Sequence, residues 1–351
     1  MTTLGLSWTM LIWAYRQYKG AGLPEGSLDP EACRFLSSAP AMLPAMRRPS
    51  IAIVGVGRLG SALATRLRRA GYTIREVISR DNRNSLAVAR RSARKLGARG
   101  WTTSAAPIQA DLIWFCVPDS EVSRAAIQLS NKDWHGRVAF HSSGVLPSDA
   151  LEVLREQGAA VASVHPLMTF VRGSVPELRG VTFAVEGDAR AVSTARTIIR
   201  DLGGNAVRLR KQDKVAYHAF STVVCPLLVS LLASSEAVAS VARISAAEAR
   251  RRMLPIIRQT LANYAKLGPS GSFSGPIVRG DVETISQHLR VLAKVPVAQQ
   301  VYVALAKAAL EYLPSRNKRE VRELLRTITP GRTLHNVKRT SLESKRSARR
   351  S

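Results

Sequence analysis

Cysteine is scarce in this sequence: its 351 residues include only Cys33, Cys116 and Cys225, and no CxxC pair occurs. This excludes a disulfide framework and a thiolate zinc site, and it is typical of a protein from a reducing cytoplasm. Long apolar runs are also missing, since none approaches the roughly 20 residues that span a bilayer. Residues 4–15 are apolar but short, and no basic segment precedes them, unlike in a signal peptide. We expect a cytoplasmic protein without a membrane partner.

Acidic residues are few: 25 Asp and Glu against 52 Lys and Arg give a formal charge of +27. Such an excess is typical of proteins that bind nucleic acids or anionic membranes. The charge is uneven, because residues 58–99 hold twelve basic residues against Glu76 and Asp81 alone, and residues 315–351 are basic and serine-rich. A hydrophobic content of 46% excludes a wholly disordered chain, and the length fits two domains.

The pattern divides the chain into four segments. Residues 1–48 have no clear period, so we interpret them as a flexible leader that a misassigned start codon would explain. Residues 49–210 alternate strands with helices, which predicts a doubly wound parallel sheet of Rossmann type. Residues 211–314 predict an all-helical domain, and residues 315–351 a disordered basic tail with one amphipathic piece. The strands are expected at 51–54, 72–79, 112–117, 137–140, 160–164, 182–185 and 206–209, and the long helices at 215–241, 246–267, 282–292 and 298–312.

A GxGxxG pattern occupies residues 55–60, directly after a predicted strand and at the start of a predicted helix. In a dinucleotide site Gly55 would permit the tight turn, Gly57 the approach of a pyrophosphate, and Gly60 close packing of helix and strand. The helix N-terminus adds free N–H groups and a positive dipole. The alternative is a glycine turn in an unrelated α/β fold.

The end of the second strand distinguishes NAD from NADP, because an NAD site places an acid there to hold the ribose 2′-OH. This chain has Ser79 and Arg80, then Arg83, and a guanidinium suits a 2′-phosphate. The prediction is NADP, with Asp81 as the competing ribose-binding carboxylate. Arg58 could stack on the adenine or join the phosphate site.

Val117 and Pro118 end a further strand, at the sheet edge that should face the nicotinamide half of the cofactor. Pro118 could equally be a plain strand terminator, and Asp119 is best interpreted as a helix N-cap. The predicted cofactor-binding residues are Gly55, Gly57, Arg58, Leu59, Gly60, Ser79, Arg80, Val117 and Pro118.

Residues 49–314 resemble bacterial Rossmann-like proteins that carry a helical C-terminal domain of unknown function. This group is related to 6-phosphogluconate dehydrogenase and pyrroline-carboxylate reductase. The resemblance implies an NADP-binding fold whose helical domain closes the active site and often forms a dimer. The residues that carry it are Gly55–Gly60, Val117–Asp119, His141–Gly144, His165–Leu167, Asp213, Lys214, Tyr217, His218, Gly275, Pro276, Arg279–Asp281 and His288.

Lys214, Tyr217 and His218 share one face of the helix that follows the domain junction, because they lie at i, i+3 and i+4. We predict Lys214 as general acid or base, since a partly buried lysine can be tuned toward neutrality. His218 could share this role, and Tyr217 could orient the substrate. In the alternative interpretation, Tyr217 and His218 pack in the seam between the domains while Lys214 is in solvent.

Further polar residues could bind an anionic substrate. Residues 141–144 follow a strand at the cofactor edge and could hold a carboxylate, or could form a Ser-Gly turn. His165 could line the pocket or form a turn, and Arg279 could reach across the cleft, whereas Asp281 should cap the following helix. The predicted substrate residues are His141, Ser142, Ser143, Gly144, His165 and Arg279. No His, Asp or Glu group has metal-ligand spacing.

Three functions follow from these patterns. The first is an NADP-dependent oxidoreductase that acts on a small anionic carbonyl or imine as a homodimer through the helical domain. The second is a catalytically weak NADP-binding sensor. It arises because Pro226 should kink the helix where the related family has small residues and Asn. The third is nonspecific nucleic-acid binding by the basic tail. We expect no specific nucleic acid, since no aromatic platforms accompany its charges.

Overall fold

The computed structural model describes residues 48–328. The predicted leader, apart from Arg48, and the tail beyond residue 328 lie outside the described residues. Residues 51–328 form one compact unit, in which an α/β region precedes a helical one.

The α/β region contains eight strands and five α-helices. The strands are β1 (Ile51–Val54), β2 (Ile74–Ser79), β3 (Arg99–Thr102), β4 (Leu112–Phe115), β5 (Val138–His141), β6 (Ala160–Pro166), β7 (Thr182–Gly187) and β8 (Asn205–Arg208). The helices are α1 (Arg58–Arg69), α2 (Arg83–Leu96), α3 (Asp119–Leu129), α4 (Glu152–Arg155) and α5 (Ala189–Asp201), with a 3₁₀ turn at Ser148–Leu151.

The strands form a single sheet in the order β3-β2-β1-β4-β5-β6-β7-β8. All neighbours are parallel except β6 and β7, so the predicted parallel sheet is confirmed for the first six strands in sheet order and wrong at this one pair. The reason lies in the connection. A parallel neighbour needs a crossover, usually a helix, whereas residues 167–181 carry no helix and return the chain directly.

Strand β3 was not predicted, because its four residues Arg-Gly-Trp-Thr are only partly buried at the sheet edge and form no apolar run. The central strands differ in this respect. In β1, Ile51 and Ile53 belong to the hydrophobic cluster on one face, and Ala52 and Val54 to the cluster on the other. Burial on both faces explains why this strand is continuously apolar rather than alternating.

The helical region comprises α6 (Lys214–Val224), α7 (Pro226–Val241), α8 (Ala246–Ser272), α9 (Pro276–Arg279), α10 (Val282–Leu292), α11 (Pro296–Tyr312) and α12 (Lys318–Arg326). The helix predicted at 215–241 is broken at Cys225, whose φ of −116° and ψ of −80° separate α6 from α7. The kink predicted at Pro226 is therefore confirmed. Gly268, with φ of +69°, interrupts α8 near its expected end.

Helix α12 shows that the tail prediction needs correction for part of its length. Val321 and Leu325 are fully buried and pack with Ile285, Leu289 and Leu310 in a third hydrophobic cluster. Their apolar spacing was visible in the sequence, but the partner surface that orders this helix comes from α10 and α11. Disorder is therefore the wrong description of Lys318–Arg326.

Two long helices expose much of their apolar surface. Helix α7 has no buried residue, and α8 has Ala249 alone. By length and composition, Lys211–Val241 is the one helical segment in the described part of the chain that could cross a membrane, with a mean hydropathy of 1.8. Small polar residues, Glu236 and the break before Pro226 interrupt it, so it makes a weak case for a membrane span.

Candidate functional site

The glycine loop between β1 and α1 has the backbone shape that the GxGxxG pattern predicts. Gly55 has φ of +91°, and a Cβ there would lie 2.7 Å from Val117 Cγ1. A Cβ on Gly60 would lie 1.9 Å from the Gly55 carbonyl oxygen, so α1 and β1 approach too closely for any side chain. A Cβ on Gly57 would meet no atom within 4 Å. The open space beside Gly57, at the N-terminus of α1, fits a pyrophosphate.

A cleft of about 570 Å³ extends from this loop across the carboxyl ends of β2 and β4. Its lining includes six of the nine predicted cofactor-binding residues: Gly55, Gly57, Ser79, Arg80, Val117 and Pro118. Leu59 packs instead against the core, and Arg58 lines a neighbouring groove. Helix α3 contributes Glu121 and Arg124 to the lining. Pro118 takes the N-cap position of α3, so the predicted cap by Asp119 is wrong.

Asp81, the competing ribose ligand, is engaged by the protein itself. Its Oδ1 accepts hydrogen bonds from the Ser104 hydroxyl at 2.7 Å and the Ser104 N–H at 3.2 Å, and its Oδ2 accepts one from the Thr103 hydroxyl at 2.7 Å. The Ser104 hydroxyl, followed by those of Thr103 and Thr102, lowers the pKa of Asp81 to about 2. Arg80 is exposed beside it and forms no ion pair within residues 48–328. The exposed guanidinium therefore suits a 2′-phosphate better than this carboxylate suits a ribose.

The turn after β5 is built by the residues that were predicted to bind substrate. His141 is fully buried; its Nε2–H donates to the Pro147 carbonyl at 2.9 Å, and its Nδ1 accepts from the Ser143 N–H at 3.2 Å. Burial lowers the pKa of His141 to about 4, so the ring is neutral. The Ser142 hydroxyl accepts from Trp114 Nε1 at 2.8 Å. The turn interpretation therefore describes His141 and Ser142, whose side chains are occupied within the protein.

Lys214 is buried, with 1% of its surface exposed, so the alternative that placed it in solvent is wrong. Its Nζ donates to the Ser163 hydroxyl at 2.7 Å and to the Ser143 carbonyl at 3.3 Å. Burial lowers the pKa of Lys214, while the charge of Glu186 opposes this shift. Glu186 itself is bonded to Ser148, through the N–H at 2.8 Å and the hydroxyl at 2.6 Å. Lys214 thus joins α6 to the turn after β5 and to the middle of β6, and no carboxylate within residues 48–328 is bonded to it.

Three further rings surround this lysine. His165 donates its Nδ1–H to the Ser142 carbonyl at 3.0 Å, which leaves Nε2 as the acceptor nitrogen of the neutral ring. Its ring centroid lies 6.0 Å from those of both Tyr217 and His218. A Cβ on Gly144 would lie 2.9 Å from His218 Nδ1 and 3.1 Å from His165 Nε2. Gly144 therefore allows the two histidines to approach the turn.

Two polar atoms of this group are buried without a partner among the described residues. They are the Tyr217 hydroxyl and His218 Nδ1. Burial raises the pKa of Tyr217, so its hydroxyl stays protonated and able to donate. Leaving such atoms unsatisfied costs about 1–3 kcal/mol each, which a ligand that bonds to them would recover. We call Ser143, Gly144, Ser163, His165, Lys214, Tyr217 and His218 the lysine cluster.

Arg279 lies elsewhere. It ends α9, which packs on α10 and α11, and its nearest carboxylate is Asp281 at 4.0 Å. No described contact joins it to the lysine cluster. Asp281 accepts from the Thr284 N–H at 3.1 Å and caps α10, as predicted.

Ser163 and Glu186 were missed by the sequence interpretation because each lies within an apolar strand. A signal was present in β6, where Ser163 and His165 alternate and so share one face of the sheet. Within residues 48–328, no group of three or more His, Cys, Asp or Glu side chains could hold a metal.

Comparison with known proteins divides the chain between residues 166 and 181, before β7, whereas the helical region of the structure begins only at Lys214. Residues 39–166 match the Rossmann-like domain, and residues 181–309 match the domain of unknown function DUF2520. The chain joins a Rossmann-like domain to a DUF2520 domain. No curated protein matches its sequence.

Solved structures share the fold of this chain at low sequence identity. A candidate NADP oxidoreductase from Bacteroides fragilis is 22% identical, with a TM-score of 0.64 over 74% of this chain and 97% of its own. Protein TM1727 from Thermotoga maritima is 23% identical, with a TM-score of 0.58 over 79% and 99%. A reductive aminase from Aspergillus terreus in complex with NADPH and ethyl-5-oxohexanoate is 15% identical, with a TM-score of 0.56 over 79% and 99%.

Proposed function

We propose that this protein is an NADP-dependent oxidoreductase acting on a small anionic carbonyl or imine compound. One observation carries the proposal: the glycine-loop cleft and the lysine cluster lie at the same edge of the sheet. Strands β4 and β5 are parallel neighbours, and the Ser142 N–H donates to the Phe115 carbonyl at 3.2 Å, where both strands end. In a doubly wound sheet the cofactor lies across this edge. The NADPH complex of the Aspergillus terreus reductive aminase, which shares the fold, supports the assignment.

The residues present fit a nicotinamide dinucleotide. Gly57 leaves room for its pyrophosphate, and Arg80 and Ser79 would hold a 2′-phosphate. A bound nicotinamide cofactor supplies or accepts a hydride equivalent. The chain's own residues then have to bind the substrate and move one proton.

The lysine cluster offers groups for both tasks. The protonated Tyr217 hydroxyl can donate a hydrogen bond to the substrate oxygen or nitrogen and orient it. Lys214 is the proposed general acid or base, with His218 sharing the proton, because burial brings the lysine pKa closer to neutrality. The positive charge of Lys214, which no bonded carboxylate neutralises, favours an anionic substrate.

Cofactor choice can be tested with Arg80→Gln, and Arg91→Gln on the exposed face of α2 is the matched control. We expect Arg80→Gln to weaken NADPH binding about tenfold or more, the effect of losing a charge-assisted hydrogen bond of about 1.5–3 kcal/mol. NADH binding should stay unchanged, as should both affinities in the control. Equal NADPH and NADH affinities in the unmodified protein would contradict the NADP assignment.

A second candidate is the catalytically weak NADP-binding sensor, which the helix break at Cys225 and Pro226 favours. The break at Cys225 lies about two to three turns beyond the substrate-facing residues of α6. A sensor would bind NADPH yet oxidise it with no member of a panel of keto acids and cyclic imines. The oxidoreductase would turn over at least one of them.

We also propose a homodimer through the helical region. Helices α7 and α8 carry apolar side chains that are each more than half exposed: Leu227, Val229, Ile256 and Leu261. A second copy of the chain could cover this surface in a dimer with twofold symmetry. Light scattering should give twice the chain mass, and Leu261→Glu should shift it toward the monomer. We propose no membrane partner, no specific nucleic acid and a cytoplasmic location.

A further inference from the structure

A second groove, of about 900 Å³, runs along α1, and none of the lysine-cluster residues lines it. It lies between α1, α2 and residues 172–175 of the β6–β7 connection. It shares Val56, Gly57 and Val88 with the cofactor cleft and reaches the C-terminal ends of both helices. We call it the basic groove.

Five cations from three separate segments line the basic groove: Arg58, Arg68, Arg69, Lys95 and Arg172. Hydroxyl groups of Ser61, Thr65, Ser92 and Ser174 lie among them, and its lining contains no carboxylate. Cations that share a groove repel one another, so this arrangement favours a bound anion.

The two acidic residues within residues 58–99, Glu76 and Asp81, do not neutralise the positive charge of the basic groove. Glu76 is 2% exposed within β2, and its Oε1 accepts from the Gln109 N–H at 2.7 Å. Asp81 is bonded to Thr103 and Ser104 at the cofactor cleft. Glu177, two residues after the groove segment 172–175, pairs with Arg66 at 2.8 Å. The charge excess of residues 58–99 therefore remains at the surface, and the basic groove gathers part of it.

We propose that the basic groove binds a linear chain of phosphate groups, of the inorganic polyphosphate class. Arg58 and Arg69 are eleven residues apart on α1, which spans about 17 Å at about 1.5 Å per residue. A single extended polyanion can follow this length and meet cations from both helices. No aromatic side chain lines the groove, so the bases of a nucleic acid would have nothing to stack on.

This site is separate from the contact proposed for the cofactor's 2′-phosphate. Arg80 and Ser79 line the cleft on the other side of the glycine loop and are absent from the groove lining. The groove residues farthest from the glycine loop, Arg69 and Lys95, are absent from the cleft lining. Substitutions at these two ends therefore separate the ligands.

The test uses the full chain, with Arg69→Gln/Lys95→Gln as the groove variant. Arg258→Gln/Lys266→Gln removes the same two residue types from exposed positions on α8 and is the matched control. Arg68 is left intact because its guanidinium bonds to the Lys95 carbonyl. Binding of long-chain polyphosphate and of a single-stranded oligonucleotide with equal charge is measured by calorimetry at several salt concentrations.

We expect polyphosphate to bind about tenfold more weakly to the groove variant, with a shallower salt dependence, and normally to the control and to Arg80→Gln. Equal losses in the groove and control variants would overturn the proposal, because overall charge alone would then explain binding. Loss in Arg80→Gln but not in the groove variant would place the ligand in the cofactor cleft and also overturn it. Tighter binding of the oligonucleotide, lost in the groove variant, would overturn it in favour of a nucleic acid. Absence of any polyphosphate binding would overturn it outright.

Discussion

Replacing Lys214 by methionine separates a catalytic role of this buried amine from a structural one. The substitution keeps an unbranched chain of similar length and removes only the charge and its N–H donors. Both partners stay satisfied, because the Ser163 hydroxyl already donates to the Ser143 carbonyl at 3.2 Å. Since no buried group is orphaned, we expect the free energy of unfolding at pH 7 to change by about 1 kcal/mol or less.

Lys214→Ala provides the contrast. It removes three buried methylene groups, at about 0.8 kcal/mol each, and leaves a cavity, so we expect a loss of about 2–4 kcal/mol. Alanine should thus impair both stability and turnover, whereas methionine should abolish turnover alone. Cofactor affinity should survive in both, because Lys214 does not line the glycine-loop cleft.

The lowered pKa of Lys214 also predicts how the free energy of unfolding changes with pH. Burial lowers the pKa of Lys214 in the folded chain below its ordinary value of 10.5. At pH values between the lowered pKa and 10.5, the amine is protonated in the unfolded chain and neutral in the folded chain. Stability should therefore rise with pH across this window and fall as the pH drops through the lowered pKa. Lys214→Met should remove this part of the pH dependence.

The measurement is urea unfolding of the three proteins at several pH values, together with NADPH oxidation in the substrate panel. If Lys214→Met lost as much stability as Lys214→Ala, the hydrogen bonds of the amine would themselves stabilise the fold. That result would refute the expectation that Ser163 and Ser143 remain satisfied without the amine. Full turnover in Lys214→Met would refute the proposed proton transfer.

Three other outcomes follow from the geometry. Gly60→Ala should prevent folding, because its Cβ would lie 1.9 Å from a carbonyl oxygen, whereas Gly57→Ala should keep the melting temperature and lose most NADPH affinity in titrations. Gly144→Ala should displace the two histidines beside it and reduce turnover more than stability, as steady-state kinetics and thermal melts would reveal. His141, with its pKa lowered from 6.5 to about 4, should cost the folded state about 3 kcal/mol as the pH falls from 6.5 to 4, at about 1.4 kcal/mol per unit. When the free energy of unfolding is measured between pH 6.5 and 4, His141→Gln should lack this loss of stability. The same pH profile in His141→Gln as in the unmodified protein would contradict the assigned burial of His141.

Features that depend on neighbours in the sequence could be predicted. The glycine loop at 55–60, the break before Pro226 and the cap of α10 by Asp281 each follow from one residue type at one backbone position. The place of Arg80 in the lining of the glycine-loop cleft followed in the same way, from its position just after β2. The shared helix face of Lys214, Tyr217 and His218 followed from helical spacing.

Features that depend on partners distant in the sequence could not be predicted from the sequence. The direction of β7 depends on a connection without a helix, and α12 is ordered only by the surface of α10 and α11. His141 looked like a substrate ligand until the Pro147 carbonyl and the Ser143 N–H occupied both ring nitrogens.

The sequence by itself determined that a tight GxGxxG turn follows the first strand of a doubly wound sheet and that a helical region comes after the sheet, because periodicity and backbone constraints act locally. Only the tertiary structure decided which polar side chains are consumed inside the protein and which remain for a ligand. It buried Lys214 against Ser163, turned Asp81 toward Ser104, and left Tyr217 and His218 with unpaired atoms. The physical reason is that hydrogen-bond satisfaction depends on groups brought together from separate strands and helices, and residue spacing does not specify those partners.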